Sequence, residues 1–174
     1  DNFHPDNERL AQAKTICFQY VQTFSRQSGN LLLSGSYGVG KSHLARAVTR
    51  EVMNKGYTAI FISVPKLLSK LKATYSRHSE QTEDQLLSAL EKVDCLVLDD
   101  IGAEYGNDHS GSWAAAKLFE VVDSRLGKPT IYTTNLNGHE LQTKVGPRNF
   151  SRIMQDTKVV KMIGEDYRLS HFRE

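Results

Sequence analysis

Cysteine is scarce in this chain of 174 residues, and the two that occur, Cys17 and Cys95, lie far apart in the sequence. They do not form a Cys-x-x-Cys pair, which is the spacing typical of metal and redox sites. We therefore expect two free thiols in a protein of the reducing cytoplasm.

Long apolar runs are also missing. No stretch approaches the roughly 20 residues that a membrane-spanning helix needs, and no charged-then-apolar leader opens the sequence. We therefore expect a soluble protein without a membrane partner. The formal net charge is only +2, which is too small to demand a nucleic-acid partner but leaves room for a local basic surface.

What is present is the composition of a globular protein, with 39% hydrophobic and 24% charged residues. The length fits one domain that spans residues 1–174 and buries a sheet between two helical layers. The first residue is Asp1, not Met, which is compatible with the C-terminal part of a longer protein.

Short apolar segments alternate with helical patterns along the chain. The apolar segments predict five β-strands, at 31–34, 58–63, 95–100, 130–135 and 159–163. Those at 58–63 and 95–100 are predicted to be buried. The helical patterns lie at 8–24, 43–54, 66–75, 85–92, 113–126 and 147–156. Strands separated mostly by helices predict an α/β fold, in which a parallel sheet is covered on both faces.

Residues 35–42, GSYGVGKS, match the phosphate-binding pattern G-x-x-x-x-G-K-[ST]. The pattern follows a predicted strand and opens a predicted helix, as a P-loop requires. We expect Lys41 to reach the β- and γ-phosphates of ATP and Ser42 to bind Mg²⁺. The full predicted nucleotide-contacting set of the loop is Gly35, Ser36, Tyr37, Gly38, Val39, Gly40, Lys41, Ser42 and His43.

Acidic and amide side chains end two further strands, at the sheet edge where ligands bind in open α/β folds. We expect Asp99 to join the Mg²⁺ site through Ser42 and bound water, and Asp100 to act as general base on the attacking water. Asn135 is a candidate to orient that water or to touch the γ-phosphate, although Asn also commonly starts a turn.

These motifs resemble the AAA+ ATPases, and within them the bacterial and phage helicase loaders of the DnaC/DnaI type. The segments that carry the resemblance are NLLLSGSYGVGKSHLARAV, CLVLDDIGAE, TIYTTN, GPRNFSRI and GEDYR. The resemblance implies a three-layer P-loop fold with a five-stranded parallel sheet and little or no C-terminal lid. It also implies that Asp99 and Asp100 form the Walker B pair, where many AAA+ proteins have Glu in the second place, and that Asn135 is sensor 1.

The resemblance assigns roles to arginines as well. Arg152 looks like the arginine finger that enters a neighbouring subunit's nucleotide site, and Arg168 looks like the sensor 2 arginine. Arg148, four residues from Arg152 on the same predicted helix face, is a rival for the finger role. Arginine suits either task because its planar, always charged fork matches phosphate oxygens. From the residues alone, surface ion pairs explain the three arginines as well.

The function implied by the resemblance is that of an ATPase that assembles with copies of itself and places a replicative hexameric helicase on single-stranded DNA. Hydrolysis is expected to be slow in the isolated domain. The predicted helix 66–75 has an apolar side formed by Leu67, Leu71 and Tyr75. A second side carries Lys66, Lys70 and Arg77, which is either a DNA-binding stripe or a solvated face.

Three other functions fit parts of the pattern. An IstB-type transposition helper shares the ATPase core but contacts duplex DNA and a transposase. A small-molecule kinase also uses a P-loop, although the Asp-Asp strand end favours hydrolysis by water. A nucleotide-gated binding module would bind ATP and hardly hydrolyse it.

Overall fold

The computed structural model describes residues 8–103, 110–166 and 168–169. Its centre is a sheet of five parallel strands in the order β2-β3-β4-β1-β5. The strands are β1 (Asn30–Gly35), β2 (Ala59–Ser63), β3 (Cys95–Asp99), β4 (Thr130–Thr134) and β5 (Thr157–Met162). The helices are α1 (Glu8–Gln22), α2 (Lys41–Asn54), α3 (Val64–Ala73), α4 (Glu83–Lys92), α5 (Ser110–Ser124), α6 (Gly138–Val145) and α7 (Pro147–Met154).

Helices cover both faces of the sheet. The strand β1 illustrates the two layers, because successive side chains of a strand point to opposite faces. Leu31 and Leu33 pack into an apolar cluster with α1 and α2. Leu32, between them, packs into a second cluster with α3 to α7. The predicted three-layer α/β/α arrangement is therefore confirmed.

The burial of the strands follows their place in the sheet. Every residue of β3 and β4 is buried, as expected for central strands. The prediction that 58–63 is a buried strand is wrong for most of its length, since β2 is an edge strand and only Ile62 is fully buried. The other edge strand, β5, begins at Thr157, two residues before the predicted start.

Two local features differ from the sequence expectations. The apolar pattern predicts no helix between 135 and 147, yet α6 lies there. It begins with a capping box, in which the side chains of Asn137 and Glu140 each accept the other residue's backbone N–H, at 2.9 and 3.1 Å. The expected apolar side of α3 is right for the buried Leu67 and Leu71, but wrong for Tyr75, which follows the end of the helix and is 56% exposed.

The expectation of free thiols is confirmed, since Cys17 and Cys95 are both buried and unbonded. Burial raises the pKa of each thiol to about 12, which keeps both protonated at neutral pH. Within the described ranges, we find no helix with the length and apolar character needed to cross a membrane.

Arg125 connects the main-chain segments at the N-terminal ends of the central strands. It is 2% exposed, and its Nε donates to Thr130 Oγ1 at 3.2 Å. Its terminal nitrogens donate to main-chain carbonyls just before β3 and β4, which are those of Leu90, Glu91, Val93, Asp94 and Pro129. One guanidinium therefore satisfies a whole group of buried acceptors.

We predict that Arg125→Met lowers the free energy of unfolding by at least about 2 kcal/mol, because several charge-assisted hydrogen bonds to main-chain carbonyls are lost. Urea denaturation measures the change. The matched control is Arg50→Met on the exposed face of α2, for which we expect a change below about 0.5 kcal/mol. Equal effects of the two substitutions would contradict the assignment.

Candidate functional site

The predicted P-loop joins the end of β1 to the start of α2. Gly38 and Gly40 have φ angles of 74° and 94°, in the left-handed region that favours glycine. Gly40 directly precedes α2 and provides no side-chain cap. The helix therefore begins with its positive dipole end facing the loop, an arrangement that suits an anion.

The side chains of the loop have different surroundings. Val39 is fully buried in the core, whereas Tyr37 is 66% exposed. Ser36 and His43 are also exposed. The predicted role of these four residues in nucleotide binding is therefore one for their backbone N–H groups more than for their side chains.

Lys41 lies in the first turn of α2, beneath the loop. It is 5% exposed, and its Nζ donates to the carbonyl of Ser36 at 2.6 Å. Burial lowers the pKa of the ammonium group, and the nearby charges of Asp100 and Asp99 oppose that shift. Because this hydrogen-bond acceptor is an uncharged carbonyl, the bond leaves the positive charge of Lys41 able to attract an anion.

Ser42 and the acidic end of β3 are joined by a chain of hydrogen bonds. The Ser42 hydroxyl donates to Asp99 Oδ1 at 2.8 Å. The same Oδ1 accepts from the Thr133 hydroxyl of the neighbouring strand β4 at 2.7 Å. Asp99 is 6% exposed. The structure thus brings together the two residues that the sequence predicts as Mg²⁺ ligands.

Asp100 follows β3 with a φ of 56°, which is unusual for a residue other than glycine. Its backbone N–H donates to Thr133 Oγ1 at 2.9 Å, which holds this conformation. Burial raises the pKa of the Asp100 carboxyl and the charge of Asp99 adds to that effect, whereas Lys41 and Arg168 lower it. The Asp100 carboxyl therefore has Asp99, Lys41 and Arg168 as its charged neighbours.

Thr133 is a residue of this site that the sequence analysis did not single out. Its hydroxyl both donates to Asp99 and accepts from the backbone of Asp100. The neighbouring Thr134 donates to the carbonyl of Ile101 at 2.9 Å and so holds the same turn without touching either carboxylate. The sequence analysis had noted the TTN segment at the end of this strand. The contact of Thr133 with Asp99 could not be predicted from it, because that contact depends on the pairing of β3 with β4.

Asn135 lies just after β4, beside the P-loop. It lines a cleft of about 730 Å³ together with Ser34, Gly35 and Ser36. The rest of the lining comes mainly from apolar residues of α6, α7 and β5. The structure therefore places Asn135 next to the first half of the loop, and its contact with water or the γ-phosphate stays a prediction.

Arg168 also comes close to the loop. Its charge lowers the pKa of both Lys41 and Asp100. Its backbone N–H donates to Asp166 Oδ1 at 2.9 Å. The predicted sensor 2 residue is therefore brought to the same site, and Asp166, which the sequence analysis did not consider, is brought there with it.

Arg152 does not lie at this chain's own P-loop. Its Nε contacts Asp123 Oδ1 at 3.1 Å, near the end of α5. Both helices end near strand starts, whereas the P-loop follows a strand end. The six residues of β1 separate these edges by roughly 17 to 20 Å. Arg152 therefore cannot serve the phosphate site of its own chain in this arrangement.

Arg148, the rival candidate, lies in the first turn of α7. Its guanidinium carbon lies 3.6 Å from the centre of the Phe119 ring, a cation–π contact with α5. Arg148 and Arg152 thus both rest on α5, one on an aromatic ring and the other on a carboxylate.

The residues around the loop fit a triphosphate with Mg²⁺. Lys41 supplies a buried positive charge, and Ser42 with Asp99 supplies the hydroxyl and carboxylate oxygens that Mg²⁺ prefers. In the described part of the chain, no group of three or more His, Cys, Asp or Glu residues is arranged to hold a metal alone.

Comparison with known proteins agrees with this geometry. A family model described as "IstB-like ATP binding protein" matches residues 5–174. The replicative helicase loader DnaC of Escherichia coli (strain K12) is 32% identical over 155 residues, which are 88% of this chain and 61% of DnaC. The chain therefore spans about three fifths of the length of that relative.

A protein of insertion sequence IS1162 from Pseudomonas fluorescens is 38% identical over 112 residues, 64% of this chain and 46% of that protein. Among solved structures, the crystal structure of the DnaC helicase loader superimposes with a TM-score of 0.82 at 26% identity. It covers 93% of this chain and 94% of the DnaC chain. The predicted AAA+ P-loop fold is therefore confirmed.

We predict that Thr133→Val weakens the dependence of ATP binding on Mg²⁺ by about 10-fold or more, because Asp99 loses the hydroxyl that orients it. ATP affinity measured by calorimetry with Mg²⁺ and with EDTA gives this ratio. Thr134→Val removes a buried hydroxyl from the next position and should leave the ratio unchanged. Similar ratios for Thr133→Val and the wild type would show that Thr133 does not position Asp99.

Proposed function

Because the chain belongs to the family of IstB-like ATP-binding proteins, we propose that it is an ATPase that loads a replicative helicase onto DNA. Its similarity to DnaC, named a replicative helicase loader, favours this role over others of the family. The proposal includes self-assembly, binding of single-stranded DNA and delivery of a hexameric helicase. The observation that carries the ATPase part is the Ser42–Asp99 hydrogen bond beside the buried ammonium of Lys41.

In this proposal the P-loop holds the phosphates of ATP through its backbone N–H groups. Lys41 exchanges the carbonyl of Ser36 for the β- and γ-phosphate oxygens. Ser42 and Asp99 hold Mg²⁺, and the chemistry that this ion supplies when bound is neutralisation of charge on those oxygens. The isolated domain hydrolyses ATP slowly, because the site still lacks a group from outside the chain.

Asp100, Asn135 and Arg168 act on the reacting end of the nucleotide. Asp100 is the general base, and its raised pKa favours proton acceptance from water over that of an ordinary carboxylate. Asn135 orients the attacking water from the end of the neighbouring strand. Arg168 places a fixed positive charge near Lys41 and Asp100, as a phosphate-binding arginine must.

Arg152 is the group that completes the site from a neighbouring copy. The length of the strands separates it from its own P-loop, so in this arrangement it would meet phosphates across an interface between two copies. It is half-buried against Asp123, and an ion pair between partly exposed groups contributes little stability, so it can be exchanged for a phosphate contact. Arg148 is bound more closely to its own chain by the Phe119 ring, which favours Arg152 as the finger.

The end of α3 offers a surface for single-stranded DNA. The rings of Tyr75 and Trp113 meet edge to face with centroids 6.3 Å apart, and Tyr75 is 56% exposed. Lys72 Nζ lies 5.2 Å from the Trp113 ring, and Lys66 and Lys70 are exposed on the same helix. Aromatic rings on which bases stack, next to cations that attract phosphates, are what non-specific binding of single strands requires.

A transposition helper is the second candidate. The family model and the insertion-sequence relative both favour it. A helper of this kind would contact duplex DNA and a transposase, so the preferred form of DNA separates the two functions. A small-molecule kinase or a module that hardly hydrolyses ATP fits the Asp99–Asp100 strand end less well.

We expect a mixture of Lys41→Ala and Arg152→Ala proteins to recover part of the ATPase activity that each has lost. Mixed interfaces pair an intact pocket with an intact finger, which other phosphoryl-transfer enzymes use for rate gains of about 10³ to 10⁵. Phosphate release measures the recovery. As a control, Lys41→Ala mixed with the Lys41→Ala/Arg152→Ala double variant should recover nothing. No recovery although the variants associate would rule out action across an interface.

For DNA binding, we predict that Lys66→Ala/Lys70→Ala weakens the affinity for single-stranded DNA and flattens its salt dependence. Loss of two phosphate contacts should reduce the slope of log K against log salt by about 1.4. Fluorescence anisotropy of a labelled oligonucleotide measures both. The control is Lys92→Ala/Lys158→Ala, two exposed lysines outside α3. Equal slopes for the wild type and the α3 variant would exclude this surface, and a preference for duplex DNA would favour the transposition helper.

The loader role itself is tested by co-purification of the full-length protein with the replicative helicase of the same genome, with and without ATP. We expect a complex whose amount depends on ATP and is reduced in Lys41→Ala. Capture of a transposase instead of the helicase would overturn the loader assignment.

A further inference from the structure

The segment after β5 runs along the P-loop and contacts it at two glycines. A Cβ atom at Gly35 would lie 2.1 Å from the carbonyl oxygen of Met162. A Cβ atom at Gly38 would lie 1.7 Å from Asp166 Oδ1 and 2.9 Å from Oδ2. The Asp166 carboxylate is therefore packed against the Cα of Gly38, in space that any other residue at position 38 would fill.

The same carboxylate organises the chain that follows it. Asp166 Oδ1 accepts the backbone N–H of Arg168 at 2.9 Å. The carbonyl of Asp166 accepts the backbone N–H of Leu169 at 3.1 Å. A side chain that bonds a backbone N–H two residues ahead stabilises a turn at that point. One side chain thus joins the P-loop to the turn that carries Arg168.

Arg168 depends on this turn for its place at the nucleotide site. It is exposed, yet its backbone N–H lies 2.9 Å from Asp166 Oδ1, the atom that a Cβ at Gly38 of the P-loop would meet. A long, exposed side chain keeps such a position only when its backbone is fixed. Among the contacts described here, those of Asp166 with Gly38 and with the Arg168 backbone fix it.

We propose that Asp166 is a positioning residue for nucleotide binding, whose side chain docks the segment after β5 on Gly38 and thereby presents Arg168 to the phosphates. The inference rests on the proposed function, because it assumes that the P-loop binds ATP. It extends that function by naming the contact between the P-loop and the segment after β5 that carries Arg168.

The electrostatic effect of Asp166 on ATP binding and its positioning effect have opposite signs, so substitutions can distinguish them. A carboxylate beside a phosphate site repels the triphosphate, so electrostatics alone predicts that removing Asp166 improves ATP binding. Positioning of Arg168 predicts that it worsens binding. Asp166→Asn keeps an oxygen for the Arg168 N–H and removes the charge, whereas Asp166→Ala removes both.

The experiment titrates fluorescent ATP in the presence of Mg²⁺ into the wild type, Asp166→Ala, Asp166→Asn and Arg168→Ala. We expect Asp166→Ala to weaken binding by about 3- to 10-fold, the range for one lost hydrogen bond. Asp166→Asn should bind at least as tightly as the wild type. Asp166→Ala should cause no further weakening in the Arg168→Ala background. Asp84→Ala, an exposed acid on α4, is the control and should bind as the wild type does.

A second measurement needs no nucleotide. Trypsin cleaves after Arg168, and we expect faster cleavage there in Asp166→Ala than in the wild type or Asp166→Asn, at equal melting temperatures. A fall in melting temperature for Asp166→Ala would indicate a merely structural residue and overturn the proposal. So would equal weakening of ATP binding by Ala and Asn, or an undiminished effect of Asp166→Ala in the Arg168→Ala background.

Failure of this inference can be told from failure of the proposed function. If the wild type binds ATP and Lys41→Ala does not, the P-loop assignment stands, and a wild-type affinity for Asp166→Ala then refutes only the role of Asp166. If neither the wild type nor Lys41→Ala binds ATP, the proposed function fails and the inference fails with it.

Discussion

The hydrogen bond between the Ser42 hydroxyl and Asp99 Oδ1, 2.8 Å long, is the contact on which the rest of the site depends. It joins the start of α2 to the end of β3, and the two bonded residues are 57 positions apart in the chain. The sheet order makes it possible, because β4 lies between β1 and β3 and contributes Thr133 to the same carboxylate. Loop, acids and Thr133 therefore form one connected group before any ligand enters.

The two ends of the strands carry different groups of residues. The C-terminal ends of the strands carry the P-loop, the buried Asp99 and Asp100 with its positive φ angle. At the N-terminal ends, Arg125 donates hydrogen bonds to carbonyls before β3 and β4. Because Arg152 lies near these N-terminal ends, an ATP site that uses Arg152 must be formed between two copies. Under the proposed action of Arg152 between two copies, hydrolysis by the isolated domain is expected to be slow.

Much of the site could be predicted from the sequence because its signals are local. The P-loop pattern and the acids after an apolar run each lie within a few residues, and the strands carrying them were found where expected. Long-range contacts could not be predicted in this way. The edge position of β2 depends on sheet order, and the contact of Asp166 with Gly38 joins residues 128 positions apart. The helix α6 was missed although Asn137 and Glu140 have the spacing of a capping box.

A crystal structure with a non-hydrolysable ATP analogue and Mg²⁺ tests the central claim most directly. The triphosphate should lie inside the loop of residues 35–42, with Lys41 Nζ moved from the Ser36 carbonyl to the β- and γ-phosphate oxygens. A metal ion should lie between Ser42 and Asp99. An analogue bound elsewhere, or a loop in which Lys41 keeps its bond to Ser36 beside the bound analogue, would contradict the claim.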